Sequence, residues 1–221
     1  MIPEKFKYKL YGRFKGRKKS YLLSSNEFKK NLINKDVNIY SKNYNILDIG
    51  SGSGENAVYL SFIHPQARII TCELFEDGNI NLSNEIMKKN TDNIKIFQGN
   101  VLEFLDCIKE SKIFNEIWIL FPDPWPKVRH HKRRLLNIKF LELIYFYLKD
   151  SGRIFIATDS QTYIQSILSI IYKVRDYFIW ENQQLEDWDY ENLDLPKTKF
   201  FKKAKQSNRK SIFFQLKKYN S

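Results

Sequence analysis

Cysteine, methionine and histidine are scarce in this 221-residue chain, at two, two and three residues, and glycine occurs only eight times. Cys72 and Cys107 stand far apart in apolar surroundings. They exclude a disulfide framework and a thiolate cluster, and read as small core residues of a reducing compartment. His130 and His131 are adjacent, so their rings point apart in any regular structure. No cysteine or carboxylate group completes a ligand set around them, and no metal is expected. Long apolar runs are missing too. Nothing approaches the ~20 residues of a membrane-spanning helix, and MIPEKFKYKL is not a signal peptide. A soluble, cytoplasmic protein without a membrane partner is expected. Acidic residues are the minority, 25 against 37 lysines and arginines, for a formal charge of +12.

That imbalance points to a polyanionic partner, with nucleic acid ahead of membrane. Lysine, asparagine and isoleucine are abundant throughout, so scattered lysines say less than clustered ones. With 43% hydrophobic residues the chain can bury a full core. Residues 1–25 form a basic arm in which Tyr8, Tyr11, Phe14 and Tyr21 alternate with lysines and arginines. Such an arm is disordered alone, or orders on phosphates with its aromatics free to stack. Residues 26–221 read as one α/β domain.

Apolar patterning predicts helices over 26–40, 55–63, 77–89, 101–109, 135–148 and 162–174, and strands over 45–49, 68–72, 94–97, 115–121 and 153–157. This alternation predicts a Rossmann-like, mostly parallel seven-stranded sheet with helices on both faces. Strands over 177–181 and 211–216 have no helical pattern between them, which predicts an antiparallel pair at one edge. An acidic loop (186–194) and a basic loop (197–210) separate these two strands.

The most informative stretch is LFPDPWPKVRHHKRRLL, residues 120–136. Pro122, Pro124 and Pro126 lack backbone donors and stop the preceding strand, and each holds its predecessor extended. The loop therefore presents Asp123 and Trp125 with little freedom. Trp125 either caps the core or stacks on a base. Lys127, Arg129, His130, His131, Lys132, Arg133 and Arg134 follow at once, a run suited to phosphates.

Polar groups also end the other strands: Asp48 with Gly50-Ser51-Gly52-Ser53-Gly54, then Glu73, Asn100 and Asp159. The carboxyl end of a parallel sheet is where ligands bind. Gly50 and Gly52 fit a dinucleotide fingerprint, but its third position holds Glu55, and no Lys-Ser/Thr pair makes a P-loop. Glu55 at the helix start also repels a pyrophosphate. A nucleoside cofactor without phosphates is expected, its ribose hydroxyls donating to Glu73. This points to S-adenosyl-L-methionine, its amino-acid part near Asp48 and the glycine loop, its adenine near Asn100.

Asp48-Ile49-Gly50-Ser51-Gly52-Ser53-Gly54, Phe121 to Lys127 with Arg129 to Leu135, Ala157-Thr158-Asp159 and Thr198-Lys199-Phe200 together resemble the tRNA (guanine-N7)-methyltransferases over nearly the whole chain. The resemblance implies a class I methyltransferase acting on a guanosine in the variable loop of tRNA; separately, a monomer is expected. Asp48, Gly50, Gly52, Glu73, Asn100 and Asp123 would hold the cofactor, with Asp123 also the catalytic orienting residue. Lys127, Asp159, Thr198, Lys199, Phe200 and Phe201 would meet the guanosine, and Arg129, His130, His131, Lys132, Arg133 and Arg134 the RNA around it. The family usually has Glu at Asp48, often Asp at Asn100, and Glu at Phe201. Without that last carboxylate, Asp159 is left to read the guanine edge alone. Two other functions compete: an amino-group nucleic-acid methyltransferase, whose motif normally sets two consecutive prolines after its Asn or Asp, and a catalytically silent RNA-binding subunit.

Overall fold

The structure, a computed structural model, describes residues 29–33 and 43–219. The expected basic arm lies outside the described residues, as does most of the first expected helix. The described residues divide into two compact units, one ending at Lys109 and one beginning at Glu110.

In the first of these, β1 (Asn45–Ile49), β2 (Arg68–Glu73) and β3 (Ile94–Gln98) pair in parallel, Asn45 opposite Arg68 and Ile69 opposite Ile94. Every residue of β1 is buried, as expected for a strand covered on both faces. Helices α1 (Glu55–Ile63) and α2 (Glu76–Lys89) follow β1 and β2, and the short α3 (Val101–Asp106) follows β3. Ile46, Leu47, Leu60, Ile69, Ile70, Leu82 and Ile94 are fully excluded from solvent. Leu32 adds a parallel bridge to Ile96 at the edge of β3.

In the other unit β4 (Phe114–Leu120) pairs in parallel with β5 (Leu148–Thr158), and β7 (Ile212–Lys218) runs antiparallel between β5 and β6 (Phe178–Trp180). Strand order is β3-β2-β1 in the first unit and β4-β5-β7-β6 in the second. The expected seven strands and the antiparallel edge are present. Helix α4 (Ile138–Tyr147) links β4 to β5, and α5 (Gln161–Lys173) follows β5. Strand β5 starts at Leu148, earlier than expected. The Ser151-Gly152 turn sits within it as an irregularity, where the register shifts between Phe114 and Glu116 and Ser151 takes a left-handed φ of 59°.

The expected basic loop is corrected by the structure. Residues Lys199–Gln206 form α6, begun by Thr198, whose hydroxyl accepts from the Phe201 amide at 3.2 Å. Phe201 and Ala204 face inward, three residues apart, while Lys199, Lys202 and Lys203 face out. Four lysines obscured a short amphipathic helix. Among the described residues no helix is long and apolar enough to cross a membrane, and no group of three His, Cys, Asp or Glu is placed to hold a metal.

Candidate active site

The glycine loop after β1 is built on left-handed backbone: φ is 73° at Gly50, 57° at Gly52 and 86° at Gly54. Side chains rarely adopt these angles, so the loop's shape requires glycine. Its packing requires another. A Cβ on Gly78 of α2 would lie 2.1 Å from the Gly52 carbonyl oxygen, so α2 packs directly against the loop. Glu73 ties the same elements together, its Oε2 accepting from the Gly52 amide at 2.8 Å and its Oε1 from the Phe75 amide at 2.8 Å. A carboxylate oxygen has two lone pairs, so each can also accept from a hydroxyl.

Asp48 is buried beneath this loop. Its Oδ1 accepts from Asn56 Nδ2 at 3.0 Å, while its Oδ2 has no hydrogen-bond partner. Burial first, then the charges of Glu73 and Glu55, push its pKa from 3.8 up to about 7, against the lowering hydrogen bond from Asn56. A buried, unpartnered carboxylate oxygen in a carboxylate-rich setting is suited to a cation. Asn100 has an additional role. It caps α3, with Oδ1 accepting from the Leu102 amide at 2.7 Å, and the Glu103 carboxylate accepts in return from the Asn100 amide.

In the second unit the Pro-Asp-Pro-Trp-Pro loop leaves β4 through Phe121, whose amide donates to the Ala157 carbonyl at 2.7 Å. The residues before Pro122 and Pro126 are not extended, contrary to expectation: φ is 53° at Phe121 and 42° at Trp125. Left-handed backbone at two bulky aromatics stores strain of order 1–3 kcal/mol each, which the surroundings must hold. Phe121 packs edge-on against buried Tyr190, centroids 5.4 Å apart. Trp125 is only half-buried and lies beneath Arg133, whose guanidinium carbon is 4.9 Å from the ring centroid, with His130 at its edge. Desolvation, then Arg133, Lys127 and Lys132, hold the His130 pKa below its usual value. Asp123 is exposed, as are Lys127, Arg129 and Lys132, the last two on a 3-10 turn spanning Val128–Arg133. His131 is half-buried.

Three expected contact residues are placed differently. Arg134 is 4% exposed and points into the protein, so burial removes it from the surface available to RNA. Phe201 is 5% exposed and packs on Tyr190, centroids 5.1 Å apart, so its side chain offers nothing to a guanine edge. Thr198 is buried at its cap. Phe200 and Lys199 remain exposed, with the Lys199 ammonium 5.4 Å from the Phe200 ring. Asp159, at the end of β5, is ion-paired to Arg209 at 2.7 Å. No motif or spacing signals that pairing, which spans 50 residues.

A family described as "Putative methyltransferase" matches residues 42–214. A tRNA (guanine-N(7)-)-methyltransferase of Leptospira interrogans is 33% identical over 181 residues, 81% of this chain and 82% of that protein. One from Wolbachia pipientis is 34% identical over 175 residues, 79% of this chain and 75% of the relative. The chain belongs to the tRNA (guanine-N(7)-)-methyltransferase family. Its fold is shared more widely. A Streptococcus mutans structure in complex with SAH is 14% identical with a TM-score of 0.55, covering 82% of this chain and 92% of that one. A 30S ribosomal A1408 methyltransferase from an uncultured bacterium is 19% identical with a TM-score of 0.54, covering 85% and 95%. These two likenesses establish the class I methyltransferase fold.

Proposed function

We propose that the protein transfers a methyl group from S-adenosyl-L-methionine to nitrogen 7 of a guanosine in the variable loop of tRNA. Membership of the tRNA (guanine-N(7)-)-methyltransferase family over most of the chain carries this reading. The residues fit the cofactor. The partnerless Oδ2 of Asp48 suits an α-ammonium group, the Glu73 carboxylate suits ribose hydroxyls, and the glycine loop admits close backbone approach. Gly50, Gly52 and Asn100 complete that set. The cofactor, when bound, supplies an electrophilic methyl group on a sulfonium.

The protein's task is alignment. Guanine N7 already carries an in-plane lone pair, so no base is needed to create the nucleophile. The base must be held in line at a near-attack distance of ~3–3.5 Å. Asp123, exposed on a loop of fixed shape, orients and stabilises charge. Asp159, held by Arg209, accepts from the guanine N1–H and amino group and so selects guanine over adenine. Lys127, Arg129, His130, His131 and Lys132 grip the surrounding phosphates, with Lys199 and Phe200 beside the base. No proton transfer is asked of any of these groups.

The deciding experiment incubates labelled cofactor with unmodified tRNA and treats the product under chain-scission conditions selective for 7-methylguanosine. Scission at a variable-loop guanosine is the expected outcome. Label that resists scission would mean amino-group methylation, and RNA binding without transfer would mean a silent subunit; either result removes the reading.

A further inference from the structure

Arg134 closes a densely cationic run, yet its surroundings are those of a core residue. Its Nε donates to the Pro124 carbonyl at 2.8 Å. One Nη donates to the Thr162 carbonyl at 3.1 Å and the other to the Thr162 hydroxyl at 3.0 Å. The guanidinium carbon lies 4.7 Å from the centroid of Tyr163, a fully buried ring whose hydroxyl accepts from the Leu136 amide at 3.1 Å. One planar fork thus joins the carbonyl after Asp123 to the first turn of α5. Lysine, with a point charge, cannot reproduce this geometry.

The loop it grips needs holding. Phe121 and Trp125 are both in left-handed backbone, on either side of Asp123, and Pro122, Pro124 and Pro126 offer no amide of their own to anchor it. Arg133 covers the Trp125 face at the next point along. The two consecutive arginines therefore brace two consecutive loop residues, and the outward cations are Lys127, Arg129 and Lys132.

Building on the function proposed above, we infer that Arg134 is a positioning residue: it clasps the Pro124 carbonyl to α5, so that the strained loop presents Asp123 in one geometry, and it contributes nothing to the grip on tRNA. A displacement of about 1 Å at such a site costs on the order of 100-fold in turnover.

The test compares Arg134→Met, Arg134→Lys and Thr162→Val with the double variant Arg129→Ala/Lys132→Ala. Measured are kcat and KM for tRNA across a salt series, and amide hydrogen exchange over residues 121–133. Arg134→Met should lower kcat on the order of 10- to 100-fold at unchanged KM and salt slope, with faster exchange confined to that segment. Arg134→Lys should restore only part. Thr162→Val, which removes one hydroxyl partner and leaves the carbonyl, should lower kcat less, again at constant KM, and it carries the test if Arg134→Met does not fold. Arg129→Ala/Lys132→Ala should instead raise KM and flatten the salt slope by about one per lost contact. The inference is overturned if Arg134→Met or Thr162→Val shifts the salt slope, or leaves both kcat and exchange unchanged. If the wild-type protein methylates no tRNA, the proposed function fails, while exchange over 121–133 still reports on the clasp.

Discussion

Replacing Asp48 by asparagine should make the cofactor-free protein more stable at alkaline pH while crippling its hold on the cofactor. Because the folded pKa of Asp48 is raised, from 3.8 to about 7, the unfolded chain ionises first as pH rises. The stability Asp48 confers is thus full below pH ~4 and lost as pH climbs through ~7. Three units correspond to about 4 kcal/mol as a ceiling, of which roughly 2–3 kcal/mol disappears between pH 5 and pH 8. The Asp48→Asn side chain keeps the acceptor for Asn56 Nδ2 and places an amide where Oδ2 now lies unpartnered, a new buried donor costing about 1–3 kcal/mol. The decisive quantity is therefore the slope against pH rather than stability at one pH. Thermal melts of both proteins at pH 5, 6, 7 and 8 should diverge by roughly 4–10 °C in favour of the variant over that range. With S-adenosyl-L-methionine present the variant's advantage shrinks. The wild type gains a charged partner for Asp48, binds more tightly as pH rises through 7 and releases a proton on binding. The variant binds about 10- to 100-fold more weakly at pH 8, the value of one buried charge-assisted hydrogen bond. Parallel melting curves across pH in the two proteins, or equal cofactor affinity at pH 8, would refute the role given to Asp48.

Asp123→Ala should leave the melting temperature within a few degrees of wild type, since the side chain is exposed, and lower kcat by about 10²- to 10³-fold in the tRNA scission assay; near-normal turnover would remove it from the site. Gly78→Ala should lower thermal stability and weaken cofactor binding together, because the added methyl meets the Gly52 carbonyl at 2.1 Å and backbone must move to admit it. A variant with unchanged melting and unchanged affinity would show that α2 is free to step back.

Patterning made the alternating strands and helices readable because buried parallel strands are continuous apolar runs and their helices are long enough to show a period. The positions of Asp48 and Glu73 were legible for a similar reason, since both lie at the carboxyl ends of such strands. What patterning left open was the direction of side chains in charge-rich stretches. Arg134 and Phe201 both sit in segments whose composition says surface, yet one is withdrawn by three backbone-directed and hydroxyl hydrogen bonds and the other by a helical period hidden among lysines. Phe121 and Trp125 defied the pre-proline rule because tertiary packing on Tyr190 and Arg133 outweighs a local preference of a few kcal/mol. The Asp159–Arg209 pair joins residues 50 positions apart, and no local pattern encodes it.

Net charge is consequently a poor measure of how many cations this surface leaves available to a polyanion. The cations between residues 197 and 210 are partly spoken for: Lys205 pairs with Glu191, Lys210 with Asp189 at 3.1 Å, and Arg209 with Asp159. The acidic loop between β6 and α6 therefore lies against the basic stretch and neutralises part of it. Exposed pairs of this kind hold by only about 0–1 kcal/mol, so phosphates can displace them at little cost. In the run after the proline loop the division is different in kind. Arg134 is held by burial and directed hydrogen bonds that phosphate cannot replace, and of the run's lysines and arginines Lys127, Arg129 and Lys132 are the fully exposed ones. A cation's readiness to bind RNA thus depends on what it must give up: almost nothing at Lys205 or Lys210, and the geometry of the Asp123 loop at Arg134.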